Sequence, residues 1–286
     1  MIFILLSILS STGIFVIFKL INNQKLPVTN IIVINYLTAF LFGYSQHLSN
    51  PIDALKADWI YYAVLIGILF IVFFTLISLS SKTVGISITT VASKMSVIIP
   101  ILFSILFFKE EVMAFKIIGI VLALIGVFLT IYKKDKQVKT NINGILLPLS
   151  LFIGMGVVDS IIKYAQQTLI SPSENAFFSS TLFFVAFATG VIYSLSDSKI
   201  FKAYLNGRVY LFGILLGLAN YGSIYFLIAA LNANVMDSSV IFGINNVGIV
   251  ILSVFIGILI FKEKITKINT IGVLSSIVAI AALSIS

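Results

Sequence analysis

Long apolar runs separated by short polar clusters set the pattern of this chain of 286 residues. The apolar positions run continuously and do not alternate with a period of two, which predicts helices and argues against the strands of a membrane barrel. A helix crosses the hydrocarbon core of a bilayer with roughly 20 mainly apolar residues. By that rule the sequence predicts ten spans, at 2–21, 28–46, 59–80, 84–108, 114–132, 142–165, 175–195, 209–231, 237–261 and 268–285. The expected architecture is therefore an all-α membrane protein. Turn formers and charges fill the connections, at 22–27, 49–58 and 197–208 for example.

Composition agrees with a lipid solvent. Sixty per cent of the residues are hydrophobic and 10% are charged, against about 25% charged in a soluble domain. The first 18 residues lack a basic leader and a small-residue cleavage site, so they read as the first span and not as a signal peptide. A formal charge of +8 would suggest a nucleic-acid partner in a soluble protein. Here the lysines flank membrane segments, where headgroups and water receive them, so no nucleic-acid role is expected. With no cysteine, a disulfide framework, a thiolate metal site and a cysteine nucleophile are excluded.

The stretch KKDKQVKTNIN at 133–143 is the most polar in the chain and divides it into two groups of five spans, 1–132 and 144–286. The two groups resemble each other. FFKEEVMAFKIIGIVLALIGV at 107–127 aligns without gaps on IFKEKITKINTIGVLSSIVAI at 260–280, placing Phe108, Lys109, Glu110, Ile118 and Gly119 on Phe261, Lys262, Glu263, Ile271 and Gly272. At the starts of the halves, Lys19 in GIFVIFKLINNQ meets Lys163 in VVDSIIKYAQQ. Because five is odd, the second half is expected to lie inverted relative to the first, and such pairs generally enclose a cavity near the midplane.

Ten short spans, two five-helix repeats and the apolar-Lys-Glu turn followed by a helix glycine resemble the EamA-like family of the drug/metabolite transporter superfamily. Family members often carry a proline about ten residues before the turn glutamate. Pro100 before Glu110 fits, whereas Ser253 stands at the equivalent place before Glu263. The resemblance implies secondary transport of small metabolites, amino acids among them, in an inner membrane. The sequence has no Walker-type phosphate loop, and no cofactor or metal is expected.

Polar residues within the spans are the candidates for binding. Lys94 lies near the centre of the fourth span, where a charge costs roughly 2.5 to 3.5 kcal/mol on insertion scales. The repeat alignment sets Asn245 and Asn246 opposite it to within two residues. This lysine is expected to bind an anionic group of a substrate or to act as a protonation switch; the alternative is a structural ion pair or snorkelling. Asp159, four residues before Lys163 on one helix face, pairs with Lys163, with Lys94, or carries a coupling proton. Asn220 beside Tyr221 is a further candidate, since a mid-span amide needs partners. Asn35, Tyr36, Thr75, Ser78, Ser223 and Tyr225 lie at similar depth, although hydroxyls more often bond their own helix.

Glu110 and Glu263 read as solvated acids of structural turns. His47, the single histidine, has no second ligand nearby in sequence for a metal and reads as a surface residue. Gly213 and Gly217 have the small-xxx-small spacing that permits close helix approach inside the bundle or, less readily, at a homodimer face.

Alternating assignment of the connections gives four basic residues (Lys56, Lys109, Lys116 and Lys163) on the side of the termini. The other side has thirteen: Lys19, Lys25, Lys82, Lys133, Lys134, Lys136, Lys139, Lys199, Lys202, Arg208, Lys262, Lys264 and Lys267. The positive-inside rule then puts the termini outside and the linker in the cytoplasm, the reverse of what the family implies. The expected function is alternating-access transport of a small metabolite such as an amino acid or organic anion. The alternatives are a membrane-embedded lipid-modifying enzyme, for which one histidine and one acid well inside the spans leave few groups, and a non-transporting receptor.

Overall fold

The computed structural model describes residues 1–46, 51–109, 114–131, 143–171, 174–233 and 238–284. His47, Glu110 and linker residues 133–142 lie outside the described residues.

Among the described residues the fold is helical throughout. In chain order the helices are α1 (Ile2–Asn23), α2 (Val28–Tyr44), α3 (Ile60–Thr83), α4 (Ile86–Met95), α5 (Ile98–Phe107) and α6 (Ala114–Ile131). There follow α7 (Asn143–Thr168), α8 (Asn175–Leu195), the short α9 (Ser198–Lys202), α10 (Gly207–Asn232), α11 (Ser238–Leu259) and α12 (Lys267–Ser284). Among the described residues six stretches are long and apolar enough to span a bilayer: Ile2–Asn23, Ile60–Thr83, Ile86–Phe107, Gly144–Thr168, Asn175–Leu195 and Gly207–Ala230. Val28–Tyr44, Ile117–Ile131, Ile244–Leu259 and Lys267–Leu283 are apolar but shorter.

The radial distribution of side chains is that of a protein in lipid. Leu5, Leu9, Phe128, Ile192, Leu211 and Phe255 are exposed on the outside, whereas Ser7, Asn30, Asn35, Ser80, Thr89 and Asn220 are buried inside. Lipid tails are as apolar as leucine, so helices associate by close packing and internal hydrogen bonds more than by excluding water. The chain is an integral, multi-pass membrane protein.

The expected fourth span, 84–108, is not one continuous helix. Pro100 has no N–H to give the carbonyl of Ser96, and its ring would collide with that carbonyl in a regular helix. The chain therefore tightens at Ser96 and Val97: Ile99 N–H donates to the Ser96 carbonyl at 2.9 Å, and the Ser96 hydroxyl donates to the Ser93 carbonyl at 2.6 Å. The break separates α4 from α5 directly after Lys94 and Met95.

Helix packing is reciprocal. The pairs α6 and α12, α2 and α8, and α4 and α11 are in contact. Helix α1 packs on α10 and α11, as α7 packs on α3 and on the α4–α5 unit; α2 packs on α10, as α8 packs on α3. Lys109 and Lys262, aligned in the sequence, share the left-handed backbone, with φ of 54° and 53°, a conformation disfavoured for residues with a Cβ.

Small residues set the closest approaches. A Cβ on Gly217 of α10 would fall 2.7 Å from the Asn35 carbonyl of α2, so the Gly213 and Gly217 spacing serves packing within the bundle. A Cβ on Gly126 of α6 would strike the Ser276 hydroxyl of α12 and lie 2.9 Å from the Ser276 nitrogen. Nearby, Asn269 Nδ2 donates to the Thr130 carbonyl at 2.7 Å and to the Leu129 carbonyl at 3.1 Å. Replacing Gly126 with Ala is expected to cost about 1–3 kcal/mol by overpacking. Gly207→Ala, with no atom within 4 Å of the added carbon, is expected to leave thermal unfolding in detergent unchanged; equal midpoints for the two variants would contradict this packing.

Candidate functional site

A cavity of about 720 Å³ lies within the bundle, walled by α1, α3, α4, α5, α7, α10 and α11. Helices α1, α4, α7, α10 and α11 contribute polar groups, whereas α3 and α5 present Phe74, Ile77 and Pro100. The break before Pro100 ends α4 at mid-span, so Lys94 and Ser93 reach the cavity from its last turn and Ser96 from the break itself. Helix α7 supplies Asp159 and, one and two turns on, Lys163, Gln166 and Gln167, a spacing that keeps these groups on related faces. Asn220 and Ser223 come from α10, Asn245 and Asn246 from α11, and Ser11 from α1.

Five of the six residues selected from the sequence, Lys94, Asp159, Asn220, Asn245 and Asn246, thus line one cavity. Tyr221 is not among its lining residues: its ring stacks on Tyr225 with centroids 5.7 Å apart and lies 5.7 Å from Phe42 of α2. One residue along a helix turns a side chain by 100°, which carries Tyr221 off the face that holds Asn220.

Lys94 and Asp159 act on each other electrostatically across this space, without a direct ion pair between them. Both are half-buried, as cavity walls are. Asn220 Nδ2 donates to Asn35 Oδ1 at 3.3 Å, tying α10 to α2. Asn245 Oδ1 and Ser93 Oγ are buried with no hydrogen-bond partner, at 4% and 7% residue exposure. Buried polar groups are nearly always paired, so two unpaired oxygens lining one cavity call for a donor from outside the chain. Of the other polar positions, Tyr36 donates to the Phe70 carbonyl at 2.9 Å and Thr75 to the Ile71 carbonyl at 2.8 Å, while Ser78 accepts from Asn22 Nδ2.

The two ends of the cavity differ in exposure. Toward the end of α7 it reaches the exposed Gln166 and Gln167. Toward the end of α1 its lining stops at Phe15 and Ile77, and Phe18, Ile21 and Ile86, all fully buried, form a floor beyond them. Beyond that floor lies Glu263, which is not the solvated turn acid the sequence suggests. Its side chain is 10% exposed, forms an ion pair with Lys19 at 3.2 Å, and accepts from Ile86 N–H at 2.6 Å. The repeated Lys-Glu turn marked the residue, but its partner lies 177 residues away, beyond the reach of local pattern.

Residues 1–132 match the model of the EamA-like transporter family. Over those residues the chain is similar to that family, which is a branch of the drug/metabolite transporter superfamily. EamA-like proteins are membrane transporters, in keeping with a polar cavity inside an apolar bundle. An uncharacterized protein of Haemophilus influenzae is 28% identical over 289 residues, covering 98% of this chain and 96% of its own. A solved crystal structure shares the fold with a TM-score of 0.56, at 13% identity, over 96% of this chain and 95% of that one.

The hydrogen bonding separates structural from cavity amides. Asn220→Leu leaves the Asn35 oxygen without its donor and is expected to cost about 0.6 kcal/mol, the average for interhelical hydrogen bonds in membranes. Asn245→Leu removes an oxygen that has no partner and is expected to leave the ligand-free protein as stable or more so. Thermal unfolding of both variants in detergent checks this; a larger loss for Asn245→Leu would mean that its oxygen is paired.

Proposed function

We propose that this chain is a secondary transporter of a small metabolite carrying an anionic group together with N–H or O–H donors, of which an amino acid or hydroxy acid is the simplest kind. The observation that carries this reading is Lys94: an ammonium at mid-span, lining a cavity of about 720 Å³ with no direct ion pair to Asp159. A fixed cation in an apolar bundle is costly unless water or an anion meets it. A substrate carboxylate meets Lys94, and its amino or hydroxyl donors meet Asn245 Oδ1, Ser93 Oγ and the Asp159 carboxylate. Asn246 completes the polar wall.

Transport proceeds by alternating access between two repeats, 1–132 and 144–286, inverted about an axis in the membrane plane. The reciprocal packing supports this: exchanging each helix for its counterpart five spans along turns the α1–α10 contact into α7–α3 and the α2–α10 contact into α8–α3, and leaves α2–α8, α4–α11 and α6–α12 in place. The matching backbone of Lys109 and Lys262 supports it as well. The bilayer is the bacterial inner membrane, with the basic connections, including that from α11 to α12, on the cytoplasmic side by the positive-inside rule.

The test is thermal stabilisation of the purified protein by amino acids, organic acids, nucleosides, sugars and cationic drugs, with wild type compared against Lys94→Met. A ligand at 100 times its dissociation constant adds about 2.7 kcal/mol. An anionic or zwitterionic metabolite is expected to stabilise the wild type and not the folded variant. Stabilisation of both proteins alike, or by cationic drugs only, would remove Lys94 from the binding site.

A further inference from the structure

The floor of the cavity is fastened by a contact between elements distant in sequence. The turn after α11 brings Glu263 to the first turn of α4, where Oε1 accepts from Ile86 N–H at 2.6 Å and Oε2 accepts from Ser87 N–H at 3.2 Å and the Ser87 hydroxyl at 3.0 Å. These N–H groups have no partner within their own helix, and the helix dipole adds to their pull on a carboxylate. Lys19, near the end of α1, ion-pairs with Oε1 at 3.2 Å and donates to the Ser81 carbonyl of α3 at 3.0 Å. One carboxylate therefore joins the last turns of α1 and α3, the first turn of α4 and the α11–α12 turn.

The backbone is shaped to admit this carboxylate. Gly85 has a φ of 95°, and a Cβ there would lie 2.6 Å from the Glu263 carboxyl carbon. A Cβ on Gly257 would lie 2.6 Å from Oε2. Glu263 N–H donates to the Gly257 carbonyl at 2.9 Å after Lys262 takes its left-handed turn.

We infer that Glu263 and Lys19 are the gate on this side of the cavity: a latch that is closed while the opposite end is open, and that must release for solute to pass. Helix α4 carries the latch at one end and Lys94 at the other. The eight residue steps from Ile86 to Lys94 make a rod of about 12 Å, separated from α5 by the break at Ser96 and Val97. Movement of the lysine end is thereby transmitted to the latched end. The inference rests on the transporter reading for its purpose, but the latch itself is defined by which side of the membrane reaches the cavity.

The chain has no cysteine, so Ser93→Cys places a single thiol in the cavity. Membrane vesicles of both polarities are treated with an impermeant sulfonated thiol reagent. With Glu263 present, labelling is expected from one side only, that of the open mouth. With Glu263→Gln added, labelling from the other side is expected to rise at least fivefold. Unchanged one-sided labelling in a variant that purifies as a folded, monodisperse protein would overturn the latch. Should Glu263→Gln not fold, Lys19→Gln, which leaves the carboxylate on α4, is judged by the same criterion. No substrate enters this assay. Two-sided labelling without any stabilising ligand would keep the latch and count against the transporter reading, whereas ligand binding with one-sided labelling would do the reverse.

Discussion

A lysine ammonium held at mid-span in an apolar bundle is the constraint around which this structure is arranged. Such a charge must be met by an opposite charge, by carbonyl or amide groups, or by water. Asp159 lies within electrostatic range but does not close on Lys94 as a direct ion pair. Amides from α10 and α11 and hydroxyls from α1 and α4 provide the remaining polarity, so the lysine sits in a cavity where a packed core would otherwise be. The outer surface is apolar, and polar side chains gather inside, around the cavity and between helices, among the buried apolar clusters.

Pro100 and Glu263 give that cavity its shape. Proline removes one hydrogen bond from the fourth span and converts a long helix into two short ones. The shortened α4 ends at the cavity wall beside Lys94, while its exposed N–H groups at the other end need an acceptor. Glu263 is that acceptor, and it also forms an ion pair with Lys19 beyond the floor. The half-helix thus has a functional group at one end and a fastening at the other.

Much of this was legible in the sequence because lipid imposes simple rules. Apolar length predicts helices, and each expected segment is mostly helical over its described residues, the fourth as two helices, with six stretches long and apolar enough to span a bilayer. Charge scarcity within the spans singled out Lys94 and Asp159, and the repeat alignment brought Asn245 and Asn246 toward them. What stayed hidden depends on long-range geometry. The break at Ser96 follows from Pro100, yet prolines are tolerated in unbroken membrane helices, and Pro148 lies inside α7. Tyr221 and Asn220 are neighbours in sequence but face different partners, and helical phase relative to a cavity is not fixed by composition. The polar turn around Glu263 suggests a solvated acid, whereas its burial comes from a helix terminus of the other half.

The central claim is that the cavity at Lys94 carries solute across the bilayer, and solute counterflow tests it directly. Proteoliposomes are loaded with an unlabelled amino acid or organic acid and diluted into a trace of the same labelled compound. The account predicts transient accumulation of label with the wild-type protein for at least one anionic or zwitterionic metabolite, and none with Lys94→Met. Absence of counterflow for every such compound, or equal counterflow with the folded variant, would contradict it.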